Sequence, residues 1–231
     1  MGEKLPKPGR RTTGLILGKF LPPHLGHQYL VDFGRSYVER LTVVVGTLER
    51  EPIPGELRFA WMREMFPDVD VVHLTEDLPQ EPSEHPDFWA LWERALRGVR
   101  PGPLDFVFAS EPYGRELAEV LGAEFVPVDL DRRLVPVSES LIREDPMGNW
   151  KYIPPCVRPY YVRRVCLFGP ESTGKSVLAR RLAEHYGTVY AEEYARPMMS
   201  LQDNRCGYED IGRIARGQVA SEEALARQAN R

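Results

Sequence analysis

Gly14-Leu-Ile-Leu-Gly18-Lys-Phe20-Leu-Pro-Pro-His24-Leu-Gly26-His27 is the stretch on which the fold turns. Gly14–Phe20 is a short apolar run bounded by glycine and reads as a buried strand. A loop stiffened by two prolines follows. From His24 to Tyr37 the apolar residues Leu25, Tyr29, Leu30 and Phe33 recur at helical spacing. Strand, loop and helix in that order put two imidazoles on the first turn of a helix, at the carboxyl end of a strand. Free N–H groups and the helix dipole make such a terminus attractive to phosphate, and Gly26 lets a phosphate come close to the backbone. In an open α/β sheet, ligands bind at this end of the strands. The plain alternative is a loop with two surface histidines. The strand-to-helix context favours the phosphate site.

Working outward, strand and helix alternate. Leu41–Leu48 is rich in β-branched residues and reads as a strand, Gly55–Phe66 as a helix, Val69–Leu74 as a strand, and Asp77–Pro86 as a loop. Asp87–Arg97 reads as a helix, Leu104–Ser110 as a strand, Pro112–Leu121 as a helix, Glu124–Val128 as a short strand, and Ser138–Arg143 as a short helix opened by a serine cap. This alternation predicts a mostly parallel sheet covered on both faces. Residues 145–161 carry Pro146, Pro154, Pro155 and Pro159 with Gly148, and read as an extended linker. A new cycle then begins, with strands at Arg164–Phe168 and Thr188–Tyr190, a helix at Val177–Tyr186, and a long helical stretch over Tyr208–Asn230. The division that follows is a polar lead over 1–13, a nucleotide-site domain over 14–145, a linker over 146–163, and a second domain from 164.

Composition excludes several classes. Lys and Arg number 30 against 34 Asp and Glu, a net charge of −4, so an extended nucleic-acid footprint is not expected. No apolar run approaches the roughly 18 residues of a membrane span. The lead has no apolar core of a secretory signal. Three cysteines, Cys156, Cys166 and Cys206, fit neither a disulfide framework nor a zinc spacing and read as reduced thiols of a cytoplasmic protein.

Gly18, Phe20, Pro22, His24, Gly26 and His27 resemble the G-x-F-x-P-x-H-x-G-H signature of the HxGH nucleotidyltransferase superfamily. Its second signature, S/T-x-S/T-x-x-R, is matched by Ser138-Glu-Ser140-Leu-Ile-Arg143, with serine where close relatives more often carry threonine. On its own the second motif reads as an ordinary serine cap beside a surface arginine. Paired with the first, its hydroxyls, N–H groups and guanidinium read as an anion cradle. The resemblance implies a Rossmann-like parallel-sheet nucleotidyltransferase domain. His24 and His27 would meet phosphates and the transition state, and Lys19, Ser138, Ser140 and Arg143 would hold a triphosphate. Gly18, Phe20 and Gly26 shape the phosphate loop, and Ser110 and Glu111 resemble the adenosine-binding loop. The acceptor phosphate would attack the α-phosphorus of ATP and release pyrophosphate, with Mg²⁺ bridging phosphates and taking few protein ligands.

For the acceptor, the Gly-Lys-Phe form, Arg58 in GELRFAWM, and Trp89 and Trp92 in FWALW resemble the nicotinamide-nucleotide branch, in which an indole stacks on the pyridinium. Two tryptophans at helical spacing also suit plain core packing. Gly169-Pro-Glu-Ser172-Thr173-Gly174-Lys175-Ser176 matches G-x-x-x-x-G-K-S between a predicted strand and a helix, with Lys175 for the β- and γ-phosphates and Ser176 for Mg²⁺.

The whole order resembles the bifunctional NadR-like family, which joins a nicotinamide-nucleotide adenylyltransferase to a ribosylnicotinamide kinase. Glu192, Glu193 and Arg196 resemble the start of its riboside-binding segment, although charged residues after a strand are usually just solvated. The resemblance also implies an oligomer. A P-loop kinase needs roughly 150 residues, and 68 run from Arg164 onward. This half therefore reads as the beginning of a P-loop α/β domain, and kinase activity is not expected. Other readings stay open: a phosphopantetheine or sugar- or polyol-phosphate acceptor, or a sensor of ATP or NAD without turnover.

Overall fold

The computed structural model describes residues 11–201 and 205–230. The expected lead falls mostly on residues 1–10, outside the described residues. The chain divides after Asp145 into two compact units.

In the first unit β1 (Thr13–Gly18), α1 (Leu25–Tyr37), β2 (Arg40–Gly46), α2 (Gly55–Met65), β3 (Asp70–Leu74), α3 (Phe88–Val99), β4 (Phe106–Ala109), α4 (Gly114–Leu121), β5 (Glu124–Pro127) and α5 (Glu139–Glu144) follow one another. All five strands are parallel, in the order β3-β2-β1-β4-β5. Successive strand side chains face opposite sides of a sheet, and here both sides are buried, as a parallel sheet requires. Ile16, Val43, Val45 and Phe108 face Leu30 and Val31 of α1 and Met62 of α2. Leu15, Val44 and Val107 face Ala95 and Leu96 of α3 and Leu117 and Ala118 of α4. This explains why β1 and β2 read as continuous apolar runs rather than as alternating ones. The strand order reverses between β1 and β4. A crevice therefore opens above the carboxyl end of β1, where the HLGH helix begins.

The second unit, from Pro146, contains α6 (Arg158–Tyr161), α7 (Lys175–Tyr186), α8 (Ala195–Ser200) and α9 (Ile211–Ala226), with 3-10 turns at Trp150–Tyr152 and Tyr208–Asp210. It differs from the sequence expectation in two places. The linker over 146–163 is not a free extended segment. Trp150, Ile153 and Val157 are buried, and the Trp150 indole N–H donates to the Ala229 carbonyl at 2.7 Å. The prolines set turns in a packed segment because apolar residues between them have somewhere to go. Second, Arg164–Phe168 and Thr188–Tyr190 form no strand among the described residues. A strand is defined by its ladder partners, and these residues have none here. Phe168, expected inside a sheet, is 99% exposed.

Candidate active site

The site begins with the cap of α1. His24 holds extended backbone, and its Nδ1 accepts from the Gly26 N–H at 3.1 Å and the His27 N–H at 3.4 Å, so the imidazole is the N-cap of the helix. An accepting Nδ1 carries no proton, which leaves Nε2 as the protonated nitrogen of the neutral ring. Gly26 is needed for this arrangement, since a Cβ there would sit 2.8 Å from the His24 ring. His27 lies one turn on and stacks on His24 with ring centroids 3.8 Å apart, while the edge of Phe20 meets it at 4.8 Å. Phe20 is fully buried and takes the left-handed conformation (φ 50°), a strained backbone for an aromatic residue at the end of the phosphate loop.

Both histidines, expected on the first turn of the helix, are largely covered. His24 is 6% exposed and the His27 side chain 17%. Burial, with the nearby Arg132 charge adding to it, lowers the His24 pKa to about 3. Burial, then His24 and Arg132, lowers that of His27 well below its usual value. Both rings are thus neutral near pH 7. The unfolded chain binds protons at ordinary histidine pKa values while the folded chain does not, so stability rises with pH from about 3 to about 6.5. Acidification through that window is expected to destabilise the fold, by up to about 1.4 kcal/mol per pH unit for His24, and the lowered His27 pKa acts in the same direction. Urea unfolding at a series of pH values measures the slope, and His24→Asn, which keeps a capping oxygen, should flatten it.

The second motif closes the opposite wall. Ser138 caps α5, its hydroxyl accepting from the Leu141 N–H at 3.3 Å. Glu139 then reaches the first motif: its Oε1 accepts from the Leu21 N–H at 2.8 Å and stands 3.5 Å from His27 Nε2. Arg143 donates to the Leu21 carbonyl and to Ser140 Oγ. The two motifs, more than a hundred residues apart in sequence, are bonded to one another. Between them opens a cleft of about 640 Å³. Gly18, Lys19, Phe20, His24, Gly26, His27, Ser138 and Ser140 line it, as do Ser110 and Glu111 after β4 and Trp89 and Trp92 of α3.

Two expected cleft residues lie elsewhere. Arg143 is not in the lining: its guanidinium ties α5 to the loop after β1, because buried carbonyls there need donors. Arg58 was expected at the acceptor and is fully buried. It donates to the carbonyls of Ile53 (3.1 Å) and Lys19 (2.6 Å) and pairs with Glu51 at 2.5 Å, and Glu51 also faces Lys19 Nζ at 3.5 Å. Arg58 fixes the backbone of the phosphate loop from behind. Trp89 and Trp92 pack against the core beneath α3 and also line the cleft. The Trp92 indole N–H is held by the Pro79 carbonyl at 2.9 Å.

Sequence reasoning missed Arg132 and Thr47. Arg132 follows β5 in the left-handed region (φ 52°), lines the cleft, and pairs with Glu111 at 2.9 Å. Its signal was the charged run Asp129-Leu-Asp-Arg-Arg133 directly after a predicted strand. The Asp129 carboxylate organises that run by accepting from the N–H groups of Arg133, Leu134 and Val135. Thr47 directly follows β2, lines the cleft, and shares a hydrogen bond with His73 at 2.9 Å.

In the second unit Ser172 (φ 62°) and Gly174 (φ 84°) give the 169–176 loop its curl, and Lys175 Nζ and Thr173 Oγ1 both donate to the Pro170 carbonyl. Ser176 lies in the first turn of α7. Glu193 and Arg196 form an exposed ion pair at 3.6 Å, and the Tyr190 hydroxyl donates to Glu192. All three charged residues are exposed to solvent.

Residues 164–231 match a family model described as an AAA domain. Over its full length the chain is 29% identical to the trifunctional NAD biosynthesis/regulator protein NadR of Escherichia coli K12, covering 61% of that protein. A crystal structure of NadR in complex with NAD and AMP-PNP superposes with a TM-score of 0.76 at 26% identity, over 96% of this chain and 67% of that one. The chain is homologous to NadR. It spans about three fifths of the length of its curated NadR relative. A nicotinamide-nucleotide adenylyltransferase of Methanoculleus marisnigri is 26% identical over 157 residues, which is 63% of this chain and 88% of that enzyme. Among the described residues no helix is long and apolar enough to cross a membrane, and no cluster of three or more His, Cys, Asp or Glu side chains could hold a metal.

Proposed function

We propose that the first unit is a nucleotidyltransferase that moves the adenylyl group of ATP onto nicotinamide mononucleotide, giving NAD and pyrophosphate. The observation that carries this reading is the stacked His24–His27 pair at the start of α1, facing the Ser138–Ser140 start of α5 across one cleft at the sheet's switch point. The reaction needs no protein nucleophile. The acceptor phosphate attacks the α-phosphorus in line, the bond to the β-phosphate oxygen breaks, and the pocket contributes position and charge. Neutral His27 offers an N–H to the phosphates, Lys19 and Arg132 bring positive charge, and the α1 and α5 termini add backbone donors. Mg²⁺ enters as part of the MgATP substrate, held by phosphate oxygens. The Trp89 and Trp92 wall suits a cationic pyridinium better than a pantetheine or sugar acceptor, which has no ring to stack.

The NadR and adenylyltransferase relatives support the same reaction class. The 169–176 loop suits phosphate, but its unpaired strand segment gives no reason to assign a kinase to this chain. The test is direct: the purified chain, MgATP and nicotinamide mononucleotide should release pyrophosphate and NAD in equal amounts. ATP binding with no turnover on any of a panel of nucleotide, pantetheine and polyol-phosphate acceptors would instead favour a sensor.

A further inference from the structure

Glu139 is a peculiar neighbour for a triphosphate. It is a carboxylate lining the proposed phosphate cleft, between the two serines of the second motif. Its Oε1 is committed to the Leu21 N–H at 2.8 Å and stands 3.5 Å from His27 Nε2. The other nitrogen of that ring, Nδ1, is sealed from solvent and has no hydrogen-bond partner. Nε2 is therefore the nitrogen through which His27 can act, and it faces Glu139. An incoming triphosphate competes with the carboxylate for that N–H and repels its charge.

We propose that the His27–Glu139 pair takes up one proton when a nucleoside triphosphate binds, which makes Glu139 the positioning residue that presents His27 Nε2–H to phosphate. This inference rests on the proposed nucleotide site. The empty pair holds one proton, on His27 Nε2. The bound pair holds two, the second on the Glu139 carboxyl or His27 Nδ1, and solvent supplies it. The surroundings agree: burial raises the Glu139 pKa and lowers that of His27, so the pair already resists carrying separated charges. The other charged groups facing it are Arg143 on α5 (3.8 Å from Glu139 Oε2), His24 on α1, Glu111 after β4, Arg132 after β5, and Arg58 on α2. His24 is no rival site for the proton, because its Nδ1 is occupied as the helix cap.

The experiment is calorimetric titration of the whole chain with Mg²⁺-saturated ATP, without acceptor, in buffers of differing ionisation enthalpy. It is run above about pH 7.5, where the free triphosphate has lost its last proton. Uptake close to one proton per bound ATP is expected, with affinity falling up to about tenfold per pH unit of increase. Glu139→Gln keeps an acceptor for the Leu21 N–H, and its fold is checked by its melting temperature. It should bind ATP with no proton uptake and a flat pH profile. Binding without uptake in the unaltered chain overturns the inference and leaves the nucleotide site standing. Uptake that persists in Glu139→Gln removes Glu139 from it. Absence of any ATP binding overturns both.

Discussion

Replacing Arg58 by methionine is expected to cost about 3–5 kcal/mol of folding stability, although the residue touches no solvent. The substitution keeps much of the side-chain volume. What it removes is every donor to the carbonyls of Ile53 and Lys19, and the partner of Glu51. Glu51 is 8% exposed at its side chain, and its Oε1 makes no hydrogen bond, so the loss leaves a buried carboxylate with only the Leu48 N–H at 2.9 Å and Lys19 at 3.5 Å beside it. A buried charge that loses its nearest cation costs more than any single hydrogen bond, which nets about 1 kcal/mol. Urea unfolding of the unaltered chain, Arg58→Met, Glu51→Gln and the double variant measures the coupling. The double variant should be more stable than Arg58→Met alone, because the stranded charge is gone. A double variant that simply adds the two single losses would mean that the pair is not coupled and that Arg58 acts only through the two carbonyls. The expected functional consequence is a rise in KM for ATP in whatever protein stays folded, since Lys19 loses its anchor.

The same residue marks the limit of what the sequence told. The five-stranded parallel sheet was legible because β-branched runs alternate with helical periodicity, and both faces of such a sheet are buried, so its strands stand out as unbroken apolar segments. The HLGH and SESLIR segments stood out because each pairs few residue types at fixed spacing with a helix start, and the structure brings the two together at one cleft. What could not be read is direction. Arg58 and Arg143 belong to the expected segments, yet the guanidinium of each donates to a backbone carbonyl of the loop after β1. Whether a guanidinium meets a ligand or a carbonyl depends on which loop folds over it, a long-range fact with no local trace. Arg132 was missed for the converse reason: it sits in an irregular turn held by Asp129, and no periodicity marks irregular structure. The linker shows a third limit. Proline spacing announced turns, but the burial of Trp150 against the Ala229 carbonyl depends on residues nearly eighty positions away.

His27→Asn should lower the rate of NAD formation by about 10²–10³-fold, the usual cost of deleting one preorganised donor to developing charge in a phosphoryl or acyl transfer site. The ring supplies little that the fold requires: it stacks on His24, meets the edge of Phe20, and lies at the mouth of the cleft with 17% of its side chain exposed. Asparagine retains a polar group there, so the melting temperature should change little. His24 should behave in the opposite way. His24→Ala deletes the N-cap of α1 and should cost about 0.5–2 kcal/mol, whereas His24→Asn restores a capping oxygen and recovers most of that stability but not the Nε2 donor. A stability and a rate for each of the three variants separate cap from catalyst. If His27→Asn kept the full rate while His24→Asn lost it, the donor to phosphate would be His24 Nε2, and the stacking of the rings would serve only to hold that nitrogen in place. Equal rates in all three variants would remove both imidazoles from the chemistry and leave Lys19, Arg132 and the two helix starts as its only sources of positive charge.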